Sequence, residues 1–360
     1  KKLEALLERI SAIKVFDPAC GSGNFLIIAY KELRRLEHAI LERLFEIDPK
    51  HQMLYAESKI NIEHFYGLEI DDFAVEVAIL SLLIAKHQMN AEFKEKFNLS
   101  IPLIPLKEAG QIQAGNAARI DWNTVCPNDG SEIYLIGNPP YYGSSKQTAE
   151  QKSDFPHVFG QRAYSRKLNY IALWFVKGAD YIESSRAELA FVTTKTVTQG
   201  EHVSLMFPMI FDKGIEIGFA FPSFQWDNNA KGTADVTVAV IGMRNLSEEN
   251  RFIFTDGLQI SAKNINGYLA DGENVCIGAR SKPLSTLPPM LMGSAPVDGG
   301  NLMLTPAERR ELLSVSPESS EYVKRILGSE EFINGLDRYC IWVDGSNSAS
   351  AERVPWLANR

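Results

Sequence analysis

The chain has 360 residues, 45% of them hydrophobic and 23% charged, and a net charge of −8. That size accommodates one large domain and part of another. The acidic balance excludes a protein that coats nucleic acid through bulk positive charge, because phosphate contacts require Lys and Arg, but it leaves room for a local basic cleft.

Leu3, Leu6, Leu7 and Ile10 recur at helical spacing and predict a short opening helix. Ile13 to Phe16 reads as a buried strand, and Asp17 to Gly23 as a small-residue turn. Asn24 to Leu44 has the pattern of a long amphipathic helix. A second strand lies within Asn61 to Leu68 and ends at Glu69, and Asp72 can cap a helix from Phe73 to about His87. Lys94 to Glu108, with Pro102 and Pro105, reads as a connector, and Ile112 opens a short strand leading to Asn116. Ile133 to Gly137 is an apolar strand that runs directly into Asn138-Pro139-Pro140-Tyr141.

Gly143 to Arg166 is polar and reads as a mobile loop beside a site. Tyr170 to Ile182 is helical in pattern, and Glu188 to Thr193 is the next strand. Glu216 to Phe221 and Val236 to Met243 read as a strand pair joined by a hairpin loop within Gln225 to Thr233. Strand-helix alternation of this kind predicts an α/β fold, a mostly parallel, doubly wound sheet with an antiparallel edge hairpin. After Leu246 the texture changes, and Ser281 to Pro306 is rich in Pro, Gly and Ser. The expected domains are 1–246, a connector over 247–290, and an incomplete C-terminal α+β region over 291–360.

No apolar run is long enough for a membrane span. The opening Lys1-Lys2-Leu3-Glu4 has neither a signal-peptide layout nor an initiating Met, as expected of a trimmed chain. Cys20, Cys126, Cys276 and Cys340 are scattered, with no Cys-x-x-Cys pair and no zinc-site spacing, which points to reduced cysteines and no metal.

Three short blocks carry chemistry. Asp17-Pro18-Ala19-Cys20-Gly21-Ser22-Gly23-Asn24-Phe25 follows a strand and opens a helix. Its glycines permit a tight turn and close approach of a ligand to the backbone. The third Gly of a dinucleotide fingerprint is absent, as is a Gly-Lys-Ser/Thr phosphate loop. Taken alone, such a turn is as often structural as functional. Tyr66-Gly67-Leu68-Glu69-Ile70-Asp71 then sets an acid at the end of the next strand, where a carboxylate can accept ribose hydroxyls. Glu69 by itself would read as a solvated strand end; its order behind the Gly turn argues for the site.

In Asn138-Pro139-Pro140-Tyr141 the two prolines remove backbone donors and stiffen the turn. Carbonyl acceptors and the Asn138 side-chain oxygen remain, beside the aromatic face of Tyr141. Such a pocket suits an exocyclic amine: two acceptors hold its hydrogens and turn the nitrogen lone pair toward an electrophile. An ordinary proline-rich turn is the competing interpretation, and it fits poorly directly after a buried strand.

Together and in this order the blocks resemble the class I methyltransferase superfamily, in its amino-methylating DNA branch. The resemblance is closer still to MmeI-like fused restriction-modification enzymes. It includes Gly115-Asn116-Ala117-Ala118-Arg119-Ile120-Asp121-Trp122, Phe224-Gln225-Trp226, Asp298-Gly299-Gly300-Asn301-Leu302 and Gly328 to Gly335, which leads into Arg338-Tyr339-Cys340-Ile341-Trp342. It covers nearly the whole chain.

The resemblance implies a cytoplasmic bacterial enzyme that methylates the N6 amine of adenine in double-stranded DNA, using S-adenosyl-L-methionine. It implies that Asp17, Ala19, Gly21 and Gly23 line the cofactor site. Glu69 would hold the ribose, and Ile70 and Asn116 the cofactor adenine, although many relatives carry Asp at the position of Asn116. Asn138 and the Pro139 carbonyl would grip the target amine, with Pro140 stiffening the turn and Tyr141 on the base. Phe224 or Trp226 would hold the base's other face. A base inside a duplex cannot reach such a pocket, so flipping is implied. The resemblance also implies a nuclease on an N-terminal part outside this sequence and the start of a target-recognition domain at the C-terminal end.

Here Glu92-Phe93-Lys94 is the nearest fit to a nuclease motif and reads better as a solvated charged stretch. The competing functions are methylation of a protein glutamine amide, of RNA adenine or of cytosine N4, and a non-catalytic, cofactor-bound DNA-recognition fragment. A dinucleotide oxidoreductase is the weakest of them.

Overall fold

The computed structural model describes residues 1–48, 57–98, 110–226, 236–280, 282–283, 285–288 and 298–358, apart from the side chains of residues 225, 226 and 236. The chain forms two compact units, Lys1–Ala279 and Arg280–Arg360.

The first unit runs α1 (Lys2–Ser11), β1 (Lys14–Asp17), α2 (Asn24–Ile47), β2 (Phe65–Glu69), α3 (Asp72–Phe97), β3 (Gln111–Ala114), α4 (Trp122–Val125) and β4 (Ile133–Gly137). It continues through α5 (Ala149–Phe159), α6 (Ala172–Ile182), β5 (Glu188–Thr194), α7 (Glu201–Phe211), β6 (Ile215–Trp226), β7 (Val236–Asn245), β8 (Arg251–Thr255) and β9 (Leu258–Ala262). The nine strands form one sheet in the order β3-β2-β1-β4-β5-β7-β6-β8-β9. β3, β2, β1, β4 and β5 are parallel, and β7 inserts antiparallel between β5 and β6. This is the mostly parallel α/β sheet with an antiparallel hairpin that the class I resemblance implies.

The helices cover both faces because the strands are apolar on both. Val15 and Phe16, neighbours in β1, point into opposite cores. Val15 joins Leu26 and Tyr30 of α2 and Val75, Ala78 and Leu82 of α3. Phe16 joins Trp122, Leu135 and residues of α6. The buried residues of α3 fall at Val75, Ala78, Leu82, Ala85, Met89, Phe93 and Phe97, three or four apart, which is one helical stripe. Asp71 caps that helix by accepting from the Ala74 amide at 3.0 Å. No helix among the described residues is long and apolar enough to cross a membrane.

Several sequence expectations change, among them the cap of α3, which is Asp71 where Asp72 was expected, and the helix's end, which is Phe97 rather than about His87. The polar stretch 143–166 contains helix α5, closed by a capping box between Thr148 and Gln151 and pinned by buried Phe155, Val158 and Phe159. The hairpin is not at the sheet edge, because β8 pairs parallel with β6, and β9 pairs with β8. Residues 251–262 therefore complete the sheet, although they fall in the expected connector. A buried carboxylate holds this extension: Glu216 accepts from Arg244 Nε and Arg251 Nε, each at 2.9 Å. The connector expected over Lys94 to Glu108 starts as helix up to Phe97, and its residues 99–109 lie outside the described residues, as does the hairpin loop 227–235.

In the second unit, β10 (Met303–Leu304), β11 (Val323–Ile326) and β12 (Arg338–Ile341) form an antiparallel sheet in the order β10-β12-β11. Helix α8 (Pro306–Val315) has Pro306 in its first turn and a capping box between Thr305 and Glu308. It buries Leu312 against Leu304, Tyr322 and Ile341.

Candidate active site

The parallel strands β1 to β4 end along one edge of the sheet, and the three chemical blocks follow those ends. Between β1 and β4 the winding of the chain reverses, which is where doubly wound sheets bind ligands. A cavity of about 520 Å³ opens there. Its wall includes Pro18 and Ala19 after β1, Glu69 and Ile70 at the end of β2, Gly115, Asn116 and Ala117 after β3, and Asn138 and Pro140 after β4. Helices α5 and α6 and the loops beside them close it with Tyr142, Thr148, Glu150, Gln151, Asp154, Tyr170 and Trp174.

The floor is acidic. Asp17 is buried beneath the Pro18–Ala19 wall; its Oδ1 accepts from the Ala19 amide at 3.0 Å, and its Oδ2 has no partner. Burial, with the charge of Glu69 as a smaller contribution, pushes the Asp17 carboxyl up to about 7. Glu69 ties two loops together. Its Oε2 accepts from the Gly21 amide at 2.9 Å, and its Oε1 accepts from the amides of Ile70 and Asp71 at 2.9 and 3.2 Å.

Gly23 has φ +84°, a left-handed conformation that suits glycine, and a Cβ there would press on Ala78 at 3.1 Å. It lets α2 start immediately after the turn. Trp174 Nε1 donates to the Pro18 carbonyl at 3.1 Å and fixes the turn from α6. Ile70 is largely exposed, an apolar surface at the mouth.

At the next loop, Asn116 Oδ1 accepts from the Ala118 amide at 2.9 Å. Asp121 caps α4 by accepting from the Asn123 amide at 3.0 Å. Beyond β4, Asn138 is exposed and Pro139 buried. Tyr141 donates its hydroxyl to Asn138 Oδ1 at 2.8 Å. Burial pushes the Tyr141 hydroxyl up, so it stays a neutral donor that orients the Asn138 amide.

Of the residues singled out from sequence, Ala19, Glu69, Ile70, Asn116, Asn138 and Pro140 line the cavity. Asp17, Gly21, Gly23, Pro139 and Tyr141 shape its rim and floor without lining it. Phe224 lies in β6, outside the cavity wall, and is 37% exposed. Trp226 closes the same strand, its Cα paired with Val236. Sequence reasoning missed Asp154, Tyr170 and Trp174. The Thr148-x-x-Gln151 capping box was the available signal for the helix that carries Asp154.

The lining has a one-sided chemistry. Glu69, Glu150 and Asp154 are carboxylates, and no Lys or Arg is among the described residues of the wall. A phosphate-bearing dinucleotide would find no counter-charge there. A cationic nucleoside with ribose hydroxyls to donate would find acceptors.

The family comparison decides the class. A model of the MmeI DNA-methyltransferase domain matches residues 1–255, and one of the MmeI target recognition domain matches residues 271–360. The chain belongs to the MmeI DNA-methyltransferase family. DNA methyltransferase A of Bacillus subtilis strain 168 is 48% identical over 362 aligned positions, covering 100% of this chain and 41% of that protein. The structure of the type IIL restriction-modification enzyme MmeI in complex with DNA matches 99% of this chain and 49% of that one, at 38% identity and a TM-score of 0.91. This MmeI-family chain thus spans less than half the length of either relative.

Proposed function

We propose that this chain is the catalytic part of a DNA adenine-N6 methyltransferase that uses S-adenosyl-L-methionine, within a type IIL restriction-modification enzyme. The observation that carries the proposal is one cavity shared by the Asp17–Gly23 turn, Glu69 and the Asn138-Pro139-Pro140-Tyr141 turn. Among the described residues the cavity wall carries Glu69, Glu150 and Asp154 and no Lys or Arg, which suits a sulfonium-bearing nucleoside. The acceptor side presents the Asn138 amide and a proline turn.

When bound, the cofactor supplies an electrophilic methyl group. The chain supplies the rest. Glu69 accepts from the ribose hydroxyls, and Ile70 packs on the purine. Asn138 Oδ1 and the Pro139 carbonyl accept the two hydrogens of the target amine, so its lone pair faces the methyl donor. Tyr141, held by Asn138, offers its ring to the base; the resemblance gives the other face to Phe224 or Trp226, of which Phe224 lies outside the cavity wall and the Trp226 side chain outside the described residues. Transfer then depends on alignment and proximity, which supply much of the rate in reactions of this kind. The target base has to leave the duplex to reach the cavity, and double-stranded DNA is the macromolecular partner.

The test of substrate class uses labelled S-adenosyl-L-methionine and the longer polypeptide, with duplex DNA, total RNA and total protein side by side. Label in duplex DNA supports the reading. Label in protein and none in DNA replaces it with amide methylation.

A further inference from the structure

Among the carboxylates that line the cavity, Asp154 is the buried one, at 1% exposure. A buried carboxylate persists only with partners. Arg119 Nε donates to Oδ1 at 2.6 Å and the Tyr170 hydroxyl to Oδ2 at 2.5 Å. Asn116 Nδ2 lies 3.3 Å from each oxygen.

The orientation of Asn116 follows from chemistry. The Ala118 amide can only donate, so it must meet Asn116 Oδ1, and that turns Nδ2 toward Asp154. On this wall Asn116 therefore presents a donor, and the acceptor capacity belongs to Asp154. A carboxylate has about four lone-pair sites. Arg119 and Tyr170 take two of them with short bonds. The two Asn116 contacts are long and shared, which marks them as weak and displaceable by a better donor.

We propose that Asp154 is the residue that selects a six-amino purine in the cofactor, by accepting from its exocyclic amine. The proposal rests on the reading of this cavity as a cofactor site. It assigns to α5 a role that the family resemblance implied for Asn116. A six-oxo purine would turn a carbonyl toward the carboxylate, oxygen against oxygen with no hydrogen between them, and the carbonyl would go unpaired. Sites built on a buried hydrogen bond reject ligands that cannot make it far more strongly than apolar sites reject a small change of shape.

The experiment measures calorimetric binding of S-adenosylhomocysteine and S-inosylhomocysteine to the full 360-residue chain. The wild type is expected to prefer the adenosyl ligand by about 100-fold or more. Asp154→Asn should bring the two affinities within about tenfold, because an amide can donate to the six-oxo group. Asn116→Ala should keep the preference. The ratio is taken on one preparation, so a lowered folded fraction affects both ligands alike. If Asp154→Asn does not fold, Asn116→Ala decides. Retained preference in Asp154→Asn, or its collapse in Asn116→Ala, overturns the assignment to Asp154 alone. Failure of the wild type to bind either ligand overturns the cofactor reading itself, and the inference with it.

Discussion

Gly137, the last residue of β4, lies against the carboxylate of Asp17 at the end of β1: a Cβ on Gly137 would meet Asp17 Oδ1 at 2.5 Å. The two strands are parallel neighbours, so this contact packs the Asp17–Gly23 turn against the residue that introduces Asn138. Gly137→Ala should destabilise the fold by about 1–3 kcal/mol, the usual cost of overpacking a tight site. Thermal unfolding checks it. A wild-type midpoint together with unchanged S-adenosylhomocysteine affinity would show that the contact does not matter.

The buried Asp17 carboxyl predicts an unusual pH dependence. Its folded value, about 7, lies above the ordinary 3.8. The folded chain therefore holds a proton that the unfolded chain releases. That contribution to stability is fully present below about 4 and is lost as pH rises through about 7. Asp17→Asn removes the titration. The stability of the variant relative to wild type should rise from pH 4 to 7 and then level off, as read by chemical denaturation. A difference that stays flat over this window would mean that Asp17 is already ionised in the fold there, with a folded value at or below the ordinary one.

Glu69 accepts from three backbone amides, which fix the position of its carboxylate, and the proposed function gives it the ribose. Hydrogen bonds to charged groups contribute about 1.5–3 kcal/mol each. Glu69→Ala should accordingly weaken binding of S-adenosylhomocysteine by roughly ten- to a hundredfold. An unchanged dissociation constant would remove Glu69 from the cofactor site.

The legibility of this site followed the chain's special residues. Asp17 to Phe25, Glu69 and Asn138 to Tyr141 stand at strand ends, where glycine, proline and an acid are informative at short range. Asp154 was not legible. Its helix, Ala149 to Phe159, has few apolar residues and an internal Pro156, so the 3.6-residue pattern is faint. Its partner in the cavity wall, Asn116, is 38 residues away. Strands β8 and β9 were lost for a related reason. They are short, and what identifies them is pairing with β6 and the Arg251–Glu216 ion pair, both tertiary. The main sheet was read well because strands such as β4 and β5 are largely apolar runs and alternate with long helices. The placement of the hairpin inside the sheet could not be read, since strand order leaves no local mark.

Asn138→Ala should separate binding from chemistry. Its Oδ1 meets the Tyr141 hydroxyl and lies in the acceptor half of the cavity. Cofactor affinity should stay within about twofold, while single-turnover transfer falls by about 100-fold or more, as when a preorganised hydrogen-bonding group is removed. Loss of both properties together would contradict the role given to Asn138.

The central claim is that the target atom is N6 of adenine in duplex DNA. The most direct measurement is nucleoside analysis of duplex DNA of mixed sequence after incubation of the longer polypeptide with S-adenosyl-L-methionine. N6-methyladenine is the expected product, with no other methylated nucleoside. N4-methylcytosine, or unmodified DNA beside methylated protein, would contradict it.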